Sequence, residues 1–136
     1  MTRFAWLLLM PAALLLFAQE KPEQAAQKPT EAWLKLVDAA DYGVSWDQAA
    51  EAFKSQVTKE QWESAVKKVR DQTGKLKSRE LKSAQFSEDL PGAPHGKYVI
   101  FQYDASFGSG SFVETVTAIQ EKDGAWKVAG YFVKPA

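Results

Sequence analysis

The spacing of apolar positions changes twice along the chain. Residues 4–18 form one apolar run, residues 30–73 repeat apolar side chains three or four apart, and from residue 76 the helical spacing is lost, giving way to alternation that is clean from Val99 to Phe107. The middle section predicts three helices. Thr30 follows Pro29 as an N-cap, with Glu31 in the first turn, and Trp33, Leu36, Val37 and Ala40 share a stripe that stops near Gly43. Ser45 and Gln48 form a capping box for a second helix with the stripe Trp46, Ala49, Ala50, Phe53 and Val57. Thr58 and Gln61 form another, for a third helix that buries Trp62, Ala65, Val66 and Val69 and ends at Gly74. Each stripe opens on a tryptophan. An aromatic cage is one use for such residues, but core is the reading taken: each buries about 200 Å², worth about 5 kcal/mol gross at ~25 cal/mol/Å².

The alternating section predicts four strands. LKSRELKSAQF, from Leu76, reads as an edge strand with lysines facing water. LPGAPHG at residues 90–96 is a wide turn, and Lys97 to Phe107 alternates most cleanly. GSGS at 108–111 is a short loop before the hairpin FVETVTAIQEKDGAWKVAGYFV, residues 112–133. Asp123-Gly124 predicts a two-residue type I′ turn, which sets Ile119 against Val128, Ala118 against Ala129, Val116 against Tyr131 and Thr115 against Phe132. That register puts Trp126, Val128, Ile119 and Phe132 on one face and Val116, Tyr131 and Val133 on the other. Gly130, inside the last strand, marks a bulge or sharp bend. Helices followed by strands give an α+β class: three N-terminal helices packed on one face of a curved four-stranded antiparallel meander sheet.

The first 18 residues, MTRFAWLLLMPAALLLFA, carry Arg3 ahead of the apolar run and read as a secretory signal peptide cut after Ala18. The run is too short to cross a hydrocarbon core of about 30 Å. Residues 19–29 are polar and proline-punctuated and are expected to be a flexible tether, leaving 30–134 as a single domain. Periplasmic or secreted localisation follows, with no stable membrane anchoring after cleavage. Losing Arg3 leaves 16 basic against 17 acidic side chains, a balance that argues against a nucleic-acid partner and offers no polybasic patch for anionic lipid. The chain has no cysteine, which excludes disulfides, thiol catalysis and thiolate metal sites.

The runs SWDQAAEAF, KEQWESAVKKVR, KSRELKSAQF, LPGAPHGKYV, ETVT and DGAWKVAGYF together resemble the bacterial family known as domain of unknown function 4019, over about Ala32 to Lys134. The resemblance implies a small exported protein with no assigned activity. It also implies a layout similar to the nuclear-transport-factor-2-like (cystatin-like cone) superfamily, in which helices and a bent sheet enclose a pocket. It carries no catalytic motif, so no functional residue transfers with it.

Candidate chemistry is sparse. The single histidine, His95, lies in the proline-glycine turn, where a general base would lack an orienting partner and a dry site. No metal-ligand spacing, phosphate loop or nucleophile elbow occurs, and neither metal nor cofactor is expected. Tyr103 and Asp104 are neighbours on a strand and point to opposite faces, whereas Asp104 with Tyr131 could share one. Arg79 and Glu114 could meet as a pocket ion pair or sit on the sheet surface; the surface is the reading taken. The residues set aside as a pocket or interface are therefore Arg79, Tyr103, Asp104, Glu114, Val116, Tyr131 and Val133. The leading functional expectation is a non-catalytic domain that binds a small apolar ligand or a protein partner at the concave sheet face. One alternative is a structural or self-associating protein, a homodimer across Val116, Tyr131 and Val133. Another is an isomerase- or hydrolase-like enzyme, which needs a water-excluding cavity with convergent polar groups.

Overall fold

The computed structural model describes residues 20–136, so the expected leader lies outside the described residues. Four helices precede four strands: α1 Pro22–Asp38, α2 Tyr42–Asp47, α3 Glu51–Lys54, α4 Lys59–Thr73, β1 Leu76–Glu88, β2 Lys97–Phe107, β3 Gly110–Gln120 and β4 Trp126–Pro135. The strands form an open antiparallel sheet in the order β1-β2-β3-β4. The α+β class and the meander are as expected; the helix count and the start of the first helix are not.

α1 begins eight residues before Thr30, so most of the stretch expected to be a tether is helical. Pro22 at the helix start lacks only an N–H that would be orphaned anyway. Pro29, however, lies inside, where proline ordinarily costs about 3 kcal/mol. Tertiary burial offsets that cost: Ala26 is wholly buried and Ala25 packs on the core. The polar composition of 19–29 could not reveal a single buried alanine face.

The expected second helix splits. α2 ends at Asp47, and the chain bends through Gln48 to Ala50 before α3. The bend lets the Ala50 N–H donate to the Val128 carbonyl at 2.8 Å, so part of the β4 edge is covered. Ser45 is not a cap but a buried junction within α2. Its carbonyl accepts from Trp33 Nε1 at 2.8 Å, and its hydroxyl accepts from Trp62 Nε1 at 2.9 Å while donating to the Tyr42 carbonyl. Two indole N–H groups would otherwise be stranded in the core. α4 opens on the expected capping box, with Thr58 Oγ1 accepting from the Gln61 N–H at 3.2 Å and Gln61 Oε1 from the Thr58 N–H at 2.9 Å. Its buried stripe is Trp62, Val66, Arg70 and Thr73; Ala65 and Val69 face solvent.

The Asp123-Gly124 hairpin departs from the type I′ expectation. Gly124 alone takes positive φ (90°), and its N–H donates to the Glu121 carbonyl at 2.9 Å. Asp123 instead accepts from the Ala125 N–H through its carboxylate at 2.9 Å. This is a three-residue loop with a glycine in the left-handed position, and it sets Gln120 against Trp126 and Ala118 against Val128. Beside Gly130, an extra residue on β4, Ala129, resets the register, so Val116 faces Tyr131 and Thr115 faces Phe132 as expected. The bulge also changes the faces. Trp126 and Val128 join Tyr131 and Val116 in the core cluster under the helices, and Phe132 is left on the other side, 65% exposed.

Trp33, Trp62 and Phe101 occupy one core cluster with Leu34, Val99 and Tyr103. Trp62 meets Phe53 edge-on at 5.0 Å, Trp33 at 5.8 Å and Tyr131 edge-on at 6.3 Å. Both outer strands are irregular. β1 carries extra residues at Lys77 and Lys82 relative to β2, and β4 carries Ala129 relative to β3. Bulges and lysines of this kind blunt a sheet edge against further strands.

Candidate functional site

Alternation fixes which side chains meet beneath the helices. β1 turns Arg79 inward opposite Ala105, and β2 turns Tyr103 inward opposite both Leu81 and Glu114. β3 turns Glu114 and Val116 inward, opposite Val133 and Tyr131 of β4. The ends of α1 and α4 lower Asp38 and Arg70 onto the same spot. Five elements thus deliver Asp38, Arg70, Arg79, Glu114 and Tyr131 to one cluster.

Its hydrogen bonds form a closed circuit. Arg79 donates to Glu114 from Nε (2.6 Å) and Nη2 (3.1 Å), and to Asp38 from Nη1 (2.8 Å) and Nη2 (2.9 Å). Arg70 donates from Nη1 to Asp38 at 2.9 Å and from Nη2 to the Tyr131 hydroxyl at 2.9 Å, with Glu114 at 3.5 Å. Tyr131 in turn donates to Glu114 Oε2. The Arg70 guanidinium also lies over the Phe107 ring at 5.0 Å. Two positive and two negative groups cancel, and every carboxylate oxygen is engaged. Glu114 has no exposed surface at all.

Burial alone would raise the Asp38 carboxyl, but hydrogen bonds and charge from Arg79 and Arg70 outweigh it and hold its pKa below the usual carboxylate value. Burial drives the Tyr131 phenol well above its ordinary value, and the neighbouring Glu114 carboxylate adds to the rise. Burial likewise raises Tyr103, with the Glu31 charge adding and Arg79 opposing. Tyr131 therefore stays a neutral donor at physiological pH. A depressed folded pKa means that the Asp38 contribution is full above its unfolded value of about 4 and is lost as pH falls through the folded value. Asp38→Asn is expected to cost about 1–3 kcal/mol at pH 7, and its deficit should narrow by pH 3. Urea unfolding at both pH values measures this; an equal deficit at both would exonerate Asp38 as the acid-sensitive group.

The cluster corrects the surface reading of Arg79 and Glu114: they are an interior ion pair. Asp104 cannot join Tyr131, because Asp104 is on the solvent side of the sheet, 3.9 Å from Lys82, and Tyr131 is on the helix side. Val116 is core, and Val133 occupies the same face, so neither is on an open reverse side. His95 is an exposed turn residue whose Nδ1 lies 2.7 Å from Asp89. Asp38 and Arg70 were not anticipated, although both carry a positional signal: each follows a buried apolar residue, Leu34 or Val66, by four on its helix. The hydroxyls of Tyr103 and Thr30 and the Nε of Arg70 are buried without a protein partner among the described residues.

Two open depressions flank the cluster. One, about 340 Å³, is lined by Asp38, Tyr42, Arg70 and Gly74. The other, about 680 Å³, opens at the end of the sheet beside Arg79, Glu80, Asp104 and Phe112. Among the described residues no group of histidine, aspartate or glutamate side chains has an arrangement that could hold a metal ion, and no helix is long and apolar enough to cross a membrane.

Comparison with solved structures finds the same fold in a 2.5 Å structure from Catenulispora acidiphila, with a TM-score of 0.52 and 11% identity over 81% of this chain and 88% of that one. No curated protein matches the sequence. The family profile described as "Protein of unknown function (DUF4019)" matches residues 29–131, from the middle of α1 through Tyr131 of β4, and thereby takes in every residue of the buried ionic cluster: the chain belongs to the DUF4019 family.

Proposed function

We propose that the protein is an exported, non-catalytic domain of nuclear-transport-factor-2-like architecture that engages a protein partner through the solvent-facing side of its sheet. The observation that carries this reading is Phe132, the most exposed large apolar side chain of the described residues, held on β4 just past its bulge, beside Thr115, Gln102 and Val113. An aromatic ring held in water on a rigid element is a characteristic contact residue. Two further points favour binding over catalysis. The buried acids and bases neutralise one another, so no carboxylate is left over as a base, and the aromatic core takes the space beneath the helices that an apolar ligand would need.

The partner reading is tested with Phe132→Asp. Its thermal stability should stay within about 0.5 kcal/mol of wild type, while the protein in envelope extracts of its own cell should shift on a native gel from a complex to a lone chain. Wild-type protein that already migrates as a lone chain there would refute partner binding. For export, N-terminal sequencing of envelope protein should begin at Gln19; Met1 at the terminus would refute cleavage.

A further inference from the structure

We infer a small-molecule site at the free edge of β4 that takes a compact apolar carboxylate. It lies outside the filled core beneath the helices and goes beyond the partner reading, on which it does not depend. An open depression of about 340 Å³ is bounded by α1, the bend after α2 and the start of β4. At ~30 Å³ for each water-sized volume, it has room for about ten non-hydrogen atoms. Its walls are mostly apolar: Pro29, Ala32 and Trp33 from α1, and Trp126 and Val128 from β4. Asp47, Gln48 and Lys127 border it with polar groups. An apolar hollow with a few polar groups at its margin is the common form of a small-molecule site.

The indole of Trp126 supplies the recognition. Trp33 donates its Nε1–H to the Ser45 carbonyl at 2.8 Å, Trp46 to the Val57 carbonyl at 2.9 Å, and Trp62 to the Ser45 hydroxyl at 2.9 Å. Trp126 is only 8% exposed and borders the depression, yet its Nε1–H has no partner among the described residues and keeps access to solvent. A buried indole ordinarily finds an acceptor. Here the acceptor is left to whatever enters the depression. The backbone adds a second donor. Val128 turns its carbonyl to the free edge of the strand, where it accepts from the Ala50 N–H at 2.8 Å. Residues two apart on a strand point their backbone groups the same way, so Trp126 presents its own N–H along that edge.

Charge selects the class of ligand. Asp47 is neutralised by Lys59, whose Nζ lies 3.1 Å from each of its carboxylate oxygens. Lys127 has no ion-pair partner among the described residues, so the border keeps one uncompensated positive charge. A cation would meet no free carboxylate there. A carboxylate would accept charge-assisted hydrogen bonds from the donors of Trp126. The proline, alanine and indole walls then require a hydrocarbon or aromatic body, which an inorganic anion lacks.

Phenylacetate is the probe, titrated into the ¹⁵N-labelled protein and followed by nuclear magnetic resonance. It should bind with a dissociation constant of about 1 mM, within reach of a ligand of that size. The indole N–H resonance of Trp126 should move most, because those of Trp33, Trp46 and Trp62 are already engaged inside the protein. Phenylacetamide keeps the ring and loses the charge, and should bind about tenfold more weakly. Trp126→Phe keeps a ring without the N–H and should weaken phenylacetate about tenfold. Ala32→Trp, at an exposed helix position, should fill the depression and abolish binding without disturbing the fold. It decides the matter if the circular dichroism of Trp126→Phe departs from wild type. The peptide Gly-Gly-Phe carries the same group at a chain end; tighter binding than phenylacetate assigns the site to a peptide terminus, and weaker binding to a free acid. No saturation by ~20 mM phenylacetate, about twenty times the expected constant, overturns the inference. So does an amide that binds as well as the acid, or unchanged binding in Ala32→Trp.

Discussion

Glu114→Leu is expected to destabilise the protein by about 3–5 kcal/mol, a large part of the 5–15 kcal/mol that holds a typical domain together. The loss comes less from the missing carboxylate than from what it leaves behind. Arg79 would keep only Asp38, Arg70 would lose a nearby counter-charge, and the Tyr131 phenol would have no acceptor, all in a region that water barely reaches. The double variant Glu114→Leu with Arg79→Met removes the pair together. It should recover part of the stability, because apolar side chains of similar volume avoid the desolvation that buried ions suffer. Denaturant unfolding of the two single variants and the double variant gives the coupling energy. Strictly additive losses would mean that the ion pair seen between β1 and β3 contributes nothing of its own.

Trp62→Ala should cost a similar amount, about 3–5 kcal/mol, by another route. The ring joins three others, Phe53, Trp33 and Tyr131, and its indole N–H is one of two that converge on Ser45. Truncation opens a void between the helices and β4 that neighbouring rings can only partly fill. Trp62→Phe keeps most of the volume and should lose about half as much or less. The near-ultraviolet circular dichroism of the alanine variant should collapse while its far-ultraviolet signal persists. If both spectra and the unfolding midpoint stay unchanged, Trp62 is not at the centre of the core.

These two residues also show what could be read in advance. Trp62 was legible as core because a capping box fixed the start of α4, and three- or four-residue spacing did the rest. Glu114 was misjudged although its strand position was correct. It alternates in step with Val116 and Ala118, both wholly buried, so the pattern itself placed it inward. The assumption that charged groups stay outside overruled the pattern. Arg70 and Asp38 were missed for the same reason, being charged residues at the next position of an apolar stripe. A buried charge becomes readable only when its counter-charges are counted on the neighbouring elements, and the pairing of α1 and α4 with β1 and β3 is long-range information.

The hairpin failed differently. The expected register holds beyond Ala129, where Val116 faces Tyr131, and fails on the turn side of it, where Gln120 faces Trp126. A periodicity argument assumes one register per strand, so it could flag Gly130 as a bend but could not say that the bend would move Trp126 and Val128 to the other face. The apolar reverse side expected from the uninterrupted register shrank to Phe132 and a few β-branched neighbours. The tether failed because helix α1 is held by Ala26 against the core and not by its own composition.

The irregular outer strands have a consequence for how large any assembly can grow. With lysines in the bulges of β1 and with β4 partly plugged by Ala50 and ending at Pro135, neither flank can accept the next strand. A contact made instead through a face of the sheet, if it follows a two-fold axis, would use that surface up once two molecules had met. Strand-by-strand growth into filaments is thereby disfavoured at both flanks of the sheet.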